Sequence, residues 1–244
     1  MVEIQPEQKQ LARQLRVEMT RFMMAYKFAI DEMTTKVNIL KEEFQLMHEY
    51  NPIEHTNTRL KSPESIIRKI IKKNIPYSVD TIRETITDIA GIRIICSFVS
   101  DIYKLKEMIE RQSDLTIIEV KDYIANPKEN GYQSLHLIMT VPVFLSDRKE
   151  DVHIEMQIRT IAMDFWASLE HKIYYKYDKH IPSHLTDELL QAAQTAKHLD
   201  LKMERLNEEI NILKNQEDEE ELPETNIDAI RLLTVLKQIR MNEK

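Results

Sequence analysis

The chain has 244 residues, a net charge of −7, 42% hydrophobic and 31% charged side chains, which fits a soluble globular protein: one substantial domain with helical extensions. No apolar run approaches the ~20 residues of a transmembrane helix, and the N-terminus MVEIQPEQKQ lacks the basic-then-apolar pattern of a signal peptide. The single cysteine, Cys96, excludes an intrachain disulfide, and its place in the run IRIICSF reads as a core thiol in a reducing cytoplasm.

Between Glu7 and Asn51 there is no glycine or proline. Apolar residues recur in steps of three and four at Leu11, Leu15, Met19, Phe22, Tyr26, Ile30, Met33, Val37, Leu40, Phe44 and Met47. That period predicts one long amphipathic helix, or two in series with a weak point at Thr34 and Thr35. Pro52 ends it. Ser62, Pro63 and Ser65 open a second helix, with Ser62 as N-cap and Pro63 at the first helical position. It runs to about Lys73 with Ile66, Ile67, Ile70 and Ile71 on one side and Arg68, Lys69, Lys72 and Lys73 on the other; Pro76 breaks it, and a short helix covers 78–87. The stretch 59–73 holds six basic residues against Glu64 alone, whereas six acidic residues between Glu217 and Glu224 account for most of the net charge. A local basic block on a nearly neutral domain suits a compact polyanion better than long nucleic acid.

After Gly91 a β-branched run predicts a central strand. A helix over 101–112 turns Ile102, Leu105 and Ile109 inward, and 115–123 is the next strand. Two more strands, 134–143 and 152–160, flank the turn residues Ser146, Asp147 and Arg148 as a hairpin. Residues 161–176 return to helix, with Trp166 as core. A second long amphipathic helix covers 186–214. Residues 216–224 read as a solvated acidic linker, and Asn226 as the cap of a last helix. The predicted division is 1–51 (helical), 52–177 (mixed α/β core), 178–215 (helix) and 216–244 (linker and terminal helix). Strands separated by helices early and a hairpin late predict a mixed sheet.

The stretch 120–136, VKDYIANPKENGYQSLH, combines Gly131, one of only two glycines in the chain, with Lys121, Lys128 and the aromatic Tyr132. Backbone freedom, positive charge and a flat ring are what a nucleotide base and its phosphates require. Asp88 stands at the mouth of the strand that follows Gly91. In HIEMQIR, alternation puts His153, Glu155, Gln157 and Arg159 on one face. A polar strand face is more often simply solvated than catalytic. Together, though, two carboxylates can hold Mg²⁺ and take a hydroxyl proton, while lysines and arginines neutralise polyphosphate and stack on a base. Phosphoryl-type transfer needs mainly positioning and charge neutralisation. The two glycines, Gly91 and Gly131, are too far apart for GxxxxGK[ST] and too few for GxGxxG. The HxE of His153 and Glu155 lacks the cysteine half of a zinc deaminase. A metal on His180 and His184 is disfavoured by the intervening Pro182.

Four segments, NPIEHTNTRLKSPESIIRK, DIAGIRIICSFVSDIY, VKDYIANPKENGYQSLH and VHIEMQIRTIAMDFWASLEHKIYYK, resemble in order the synthetase domain of the RelA/SpoT homologues. The flanking long helices resemble the small alarmone synthetases, closest to the RelP branch. The resemblance implies an α+β fold with a mixed, nucleotidyltransferase-like sheet, and transfer of the pyrophosphate of ATP to the 3′-hydroxyl of GDP or GTP. It implies Mg²⁺ on Asp88, Glu155 at the 3′-hydroxyl as general base or second Mg²⁺ ligand, and Gln157 supporting it. Arg59 and Arg93 would flank adenine, and Lys61, Ser65 and Lys69 would line the ATP phosphates. Tyr132 would stack on guanine, with Lys121, Lys128, Asn130 and His136 near the acceptor. A cytoplasmic homotetramer built through the terminal helices is implied, with no DNA or membrane partner; an RNA partner and an allosteric nucleotide stay open. Where the sister branch places an aromatic and a threonine at a central product site, this chain has His55 and Asn57, so activation by pppGpp is not expected. None of the eight histidines is followed by aspartate, so the hydrolase pair of the long members is not expected. The rival readings are a non-catalytic regulatory oligomer that binds nucleotide or single-stranded RNA, and a nucleotidyltransferase.

Overall fold

A computed structural model describes residues 6–47, 50–76, 78–175 and 182–220. The chain forms two compact units, Met1–Leu201 and Lys202–Lys244. In the first, a five-stranded sheet has the order β1 (Ile53–Leu60), β2 (Ala90–Cys96), β5 (Lys149–Thr160), β4 (Leu135–Phe144), β3 (Thr116–Asp122). Only the β2–β5 pair is parallel; β1–β2, β3–β4 and β4–β5 are antiparallel. The sheet is mixed, as the sequence predicts.

One face of the sheet is apolar. Ile92, Ile94, Leu137, Met139, Ile154, Met156 and Ile158 are buried there, and α1 (Pro6–Met47) and α4 (Val99–Glu110) pack on the sheet. Helix α1 contributes Phe22, Tyr26, Ile30, Met33, Val37 and Leu40 to this core, and each such side chain, fully buried, stabilises by about 1.5–3 kcal/mol. Thr34 and Thr35 do not break α1. Their hydroxyls donate to the carbonyls of Ile30 and Asp31, one turn back, and the helix continues. The predicted stripe is longer than the buried one: Leu15, Met19 and Met47 are exposed, because the sheet is shorter than the helix. The side chain of Leu11 lies outside the described residues.

Helix α2 (Pro63–Lys73) is bounded as expected at its start, where the Ser62 hydroxyl accepts from the Ser65 amide at 3.3 Å. Its end comes before Pro76. Asn74 adopts a left-handed conformation (φ 52°), and its amide closes on the carbonyls of Ile70 and Ile71. A short α3 (Val79–Thr85) leads into β2. Segment 53–60, which carried no secondary-structure expectation, is the edge strand β1, whose side chains are mostly exposed. Cys96 is fully buried, and desolvation pushes its thiol far above the ordinary range.

Helix α5 (Ile161–Tyr175) follows β5 directly, and α6 spans Ser183–Glu220. Residues 216–220, predicted as linker, are the end of α6; their acidic side chains do not interrupt helical backbone. The predicted cap Asn226 and its helix, and His180, lie outside the described residues. A small second cluster, formed by Trp166, Ala167 and Ala193 with Tyr132 and Ala196 against it, joins α5, α6 and the loop after β3. The Trp166 indole N–H donates to the Leu189 carbonyl at 2.9 Å.

Candidate active site

The second face of the sheet is polar because the strand period alternates it with the core. The register aligns Asn57, Arg93, Gln157, His136 and Lys121 in one row across all five strands. The neighbouring row carries Arg59, Gly91 and Glu155. Two irregularities produce this alignment, one in each edge strand. An extra residue at Glu54 shifts β1 so that Arg59 and Asn57, rather than Thr58 and Thr56, oppose Gly91 and Arg93. An extra residue at Ile118 shifts β3 so that Lys121, rather than Val120, opposes His136. Gly91 has no side chain, which leaves a gap between Arg59 and Glu155. A cleft of about 150 Å³ opens there, lined among others by Asn57, Arg59, Asp88, Arg93, Glu155 and Gln157.

Asp88 sits just before β2 and receives two lysines: Lys61 Nζ lies 2.6 Å from Oδ2, and Lys69 Nζ 2.6 Å from Oδ1. Desolvation pulls its carboxyl upward, but the Lys61 and Lys69 hydrogen bonds outweigh this and hold it below the usual range. Lys61, only 8% exposed, is itself pushed down by its burial. The 2.6 Å contact and the second lysine on the same carboxylate favour the charged form. Lys69 comes from the middle of α2 and Ser65 from its N-terminus, where backbone amides and the helix dipole favour a phosphate.

Glu155 accepts from Gln157 Nε2 at 2.9 Å and faces His136 Nδ1 at 3.4 Å. Burial pushes its carboxyl up; His136 and then Gln157 pull it down further, and it ends below the ordinary glutamate range. One proton arrangement satisfies the whole chain of groups. Arg159 Nη2 donates to the Tyr132 hydroxyl at 2.6 Å, Tyr132 donates to His136 Nε2 at 2.8 Å, and His136 Nδ1–H points to Glu155. Arg159 Nη2 also reaches Gln157 Oε1 at 2.9 Å, and Arg159 Nη1 reaches Asp164 Oδ1 at 3.1 Å.

Most of the sequence candidates therefore meet in one place. Asp88, Glu155, Gln157, Arg59 and Arg93 line the cleft, with Lys61 and Lys69 on Asp88; Tyr132 and His136 are tied to Glu155, and Lys121 is beside His136. Three differ in detail. Lys128 Nζ lies 4.8 Å from the Tyr132 ring centre and 4.6 Å from that of Tyr123, so an ammonium occupies stacking space on Tyr132. Asn130 turns its amide to Glu170 Oε1 at 3.2 Å and its oxygen to the Tyr132 amide, holding the loop rather than facing the cleft. Ser65 faces Ser62 and Arg68. Arg159 and Asp164 are central to the network, yet sequence reasoning gave them no role; the only signal was Arg159's place on the polar phase of HIEMQIR. His153, on the same phase, contacts the Arg83 carbonyl at 2.9 Å, a structural contact.

The loop carrying Tyr132 is fixed by Gly131, whose φ of +86° suits glycine and whose added Cβ would lie 2.5 Å from Ala193 Cβ on α6. Gly131→Ala is expected to lower stability by about 1–3 kcal/mol, read by denaturant unfolding.

Among the described residues no group of three His, Cys, Asp or Glu could hold a metal. A metal in the cleft would have the carboxylates of Asp88 and Glu155, which both line it, as its protein ligands. That fits Mg²⁺, which takes one or two carboxylates and completes its shell with water and substrate phosphate. Among the described residues no helix is long and apolar enough to cross a membrane.

Residues 58–180 match the family model described as the region found in RelA / SpoT proteins. The chain is 53% identical to the GTP pyrophosphokinase YwaC of Bacillus subtilis over 189 residues, covering 78% of this chain and 90% of that one. The crystal structure of small alarmone synthetase 2 from Bacillus subtilis superposes with a TM-score of 0.72 at 51% identity, over 79% of this chain and 99% of that one. Small alarmone synthetase 1 from the same organism, bound to its product pppGpp, gives a TM-score of 0.73 at 37% identity, over 79% and 98%. The polar cleft, the mixed sheet beneath it and these matches lead to one assignment: the chain belongs to the RelA/SpoT family and, within it, to the small alarmone synthetases.

Proposed function

We propose that this chain is a GTP pyrophosphokinase. It transfers the pyrophosphate of ATP to the 3′-hydroxyl of GDP or GTP, releasing AMP and making ppGpp or pppGpp. The observation that carries this is the facing of Asp88, held by Lys61 and Lys69, and Glu155, held by Gln157 and His136, across one cleft.

The donor lies on the β1–β2–α2 side. Arg59 and Arg93 flank adenine, and Lys61, Ser65 and Lys69 take the phosphates. The acceptor lies on the β3–β4 side. Tyr132 stacks on guanine once Lys128 leaves the ring for a phosphate, Lys121 holds the acceptor phosphates, and His136 stands near the acceptor, tied to Tyr132 and Glu155. Asn130 shapes the loop. Glu155 accepts the 3′-hydroxyl proton as the oxygen attacks the β-phosphorus; the new P–O bond forms as the bond to the α-phosphate oxygen breaks, and that oxygen leaves on AMP. Gln157 aims the carboxylate, and His136 donates its Nδ1–H to it. Mg²⁺, held by Asp88 and Glu155 when bound, neutralises charge on the transferring phosphates. The core is assigned to 52–177, and the helices of 1–51 and 178–215 to a homotetramer. Exposed Leu15, Met19, Leu199 and Leu206 support an assembling surface. A cytoplasmic setting fits the thiol at Cys96. We place the chain in the RelP branch on the resemblance of its long flanking helices; its identity is 51% to small alarmone synthetase 2 and 37% to small alarmone synthetase 1.

The deciding experiment supplies ATP labelled at the γ-phosphate, GDP and Mg²⁺. Label appearing in a product more phosphorylated than GDP, with AMP in equal amount, is the expected result. Label in free pyrophosphate would instead indicate nucleotidyl transfer, and nucleotide binding without AMP would indicate a non-catalytic regulator.

A further inference from the structure

Asp164, in the first turn of α5, touches neither proposed catalytic carboxylate, yet one of its oxygens joins the two halves of the site. Arg93 Nη1 lies 3.2 Å from Asp164 Oδ1, and Arg159 Nη1 lies 3.1 Å from the same atom. Arg93 is the donor-side arginine, and its Nε is buried with no hydrogen-bond partner, so Asp164 is the side chain seen to hold that guanidinium. Arg159 is 5% exposed and reaches the acceptor side: its Nη2 bonds the Tyr132 hydroxyl and Gln157 Oε1, and its guanidinium lies 5.1 Å from the Tyr132 ring centre.

We infer that Asp164 is a positioning residue that couples the donor and acceptor nucleotide subsites by holding Arg93 and Arg159 on one carboxylate oxygen. The inference rests on the assignment of Arg93 to the donor and Tyr132 to the acceptor. Its physical basis is preorganisation. Two buried or half-buried guanidinium groups that share one anion are fixed by a common partner, and ordering either one orders the carboxylate for the other. ATP that packs on Arg93 therefore fixes Asp164 and, through Arg159, the Tyr132 ring and the Gln157 amide. GDP that packs on Tyr132 does the same in reverse. Linkage requires the two effects to be equal: the factor by which one nucleotide tightens the other is the same in both directions. A contiguous chain of contacts is not itself proof of coupling, so the test measures coupling directly.

Calorimetric titrations use the intact chain, Mg²⁺, GDP and a non-hydrolysable ATP analogue, each nucleotide alone and with the other saturating. Wild type is expected to bind each nucleotide more tightly in the presence of the other, by one common factor. Asp164→Asn is expected to weaken each nucleotide by about tenfold, the scale of one charge-assisted hydrogen bond, and to bring the common factor to one. Asp164→Glu, which keeps the carboxylate, is expected to restore part of it. Thermal melting is followed alongside. If Asp164→Asn does not fold, Arg93→Lys and Arg159→Lys replace it. Each keeps its charge but loses the planar fork, so the first should weaken the ATP analogue more, the second GDP more, and both should remove the coupling. A folded Asp164→Asn that keeps the wild-type factor, a coupling that survives both lysine variants, or a wild-type factor of one overturns the inference. Failure of wild type to bind either nucleotide would instead overturn the assignment of the subsites.

Discussion

Glu155→Gln is expected to leave a folded protein whose turnover with saturating ATP and GDP falls by about 10²–10⁴-fold, the range of a lost general base. The substitution is nearly isosteric, so the hydrogen bond from Gln157 Nε2 at 2.9 Å can persist on the amide oxygen. What disappears is the negative charge that faces His136 Nδ1 and to which the proposed mechanism gives the 3′-hydroxyl proton. Binding should change much less than turnover, because the residues assigned to adenine, guanine and phosphates are untouched; a loss confined to kcat marks an interaction made in the transition state. The pH dependence follows from the direction of the shift. The carboxyl sits below its ordinary value of 4.5, so it is already ionised at neutral pH and loses its function only as pH falls through that lowered value. No rise in rate between pH 6 and 8 should trace to Glu155. Initial rates of AMP release at several pH values, with circular dichroism as a control for folding, check both statements. A variant with wild-type turnover would remove Glu155 from the chemistry.

The elements of this fold were legible wherever one physical signal dominated. The i, i+3, i+4 stripe of α1, the Ser62-Pro63 start of α2, the β-branched run of β2 and the Ser146–Arg148 turn each name their own structure. Strand β1 gave no such signal. IEHTNTRL shows neither a clean alternation nor an apolar run, because it is an edge strand whose side chains are mostly exposed. It exists because β2 offers it backbone partners, and that is a tertiary fact. The site was legible as a set of residue types but not as an arrangement. Arg59 and Lys121 reach the polar face only because Glu54 and Ile118 are extra residues in their strands; local sequence does not announce either bulge. Alternation in β5 put Glu155 and Gln157 on the polar face, where they line the cleft, but treated His153 and Arg159 alike. Only packing separates them: Arg159 is buried among Tyr132, Ser134, Gln157 and Asp164, whereas His153 meets the Arg83 carbonyl. Asp164 carried no signal at all, because an acidic residue in the first turn of a helix is ordinarily explained by the helix dipole.

Asp88→Asn should separate binding from catalysis in the opposite sense to a lost phosphate ligand. In the structure both Asp88 oxygens are taken by lysines, Lys61 and Lys69, each at 2.6 Å. The proposed mechanism gives those lysines to the ATP phosphates, so the carboxylate and the nucleotide compete for them. Removing the negative charge ends the competition, and affinity for a non-hydrolysable ATP analogue, measured with a chelator present, should hold or rise. Turnover should nonetheless fall by about 10³-fold, because the Mg²⁺ of the proposed mechanism would lose one of its two carboxylates and with it several kcal/mol of charge stabilisation in the transition state. Stability should fall as well. Lys61 is 8% exposed and already pushed down by burial, and without Asp88 it keeps the desolvation cost and loses the compensating anion. A loss of about 1–3 kcal/mol is expected, below that of a fully buried pair because Asp88's side chain is 31% exposed. Three measurements on one variant thus carry different signs: chelated-analogue affinity up or level, turnover down, denaturant midpoint down. If analogue affinity fell together with turnover, the lysines would depend on Asp88 for their placement, and the competition between carboxylate and phosphate would be wrong.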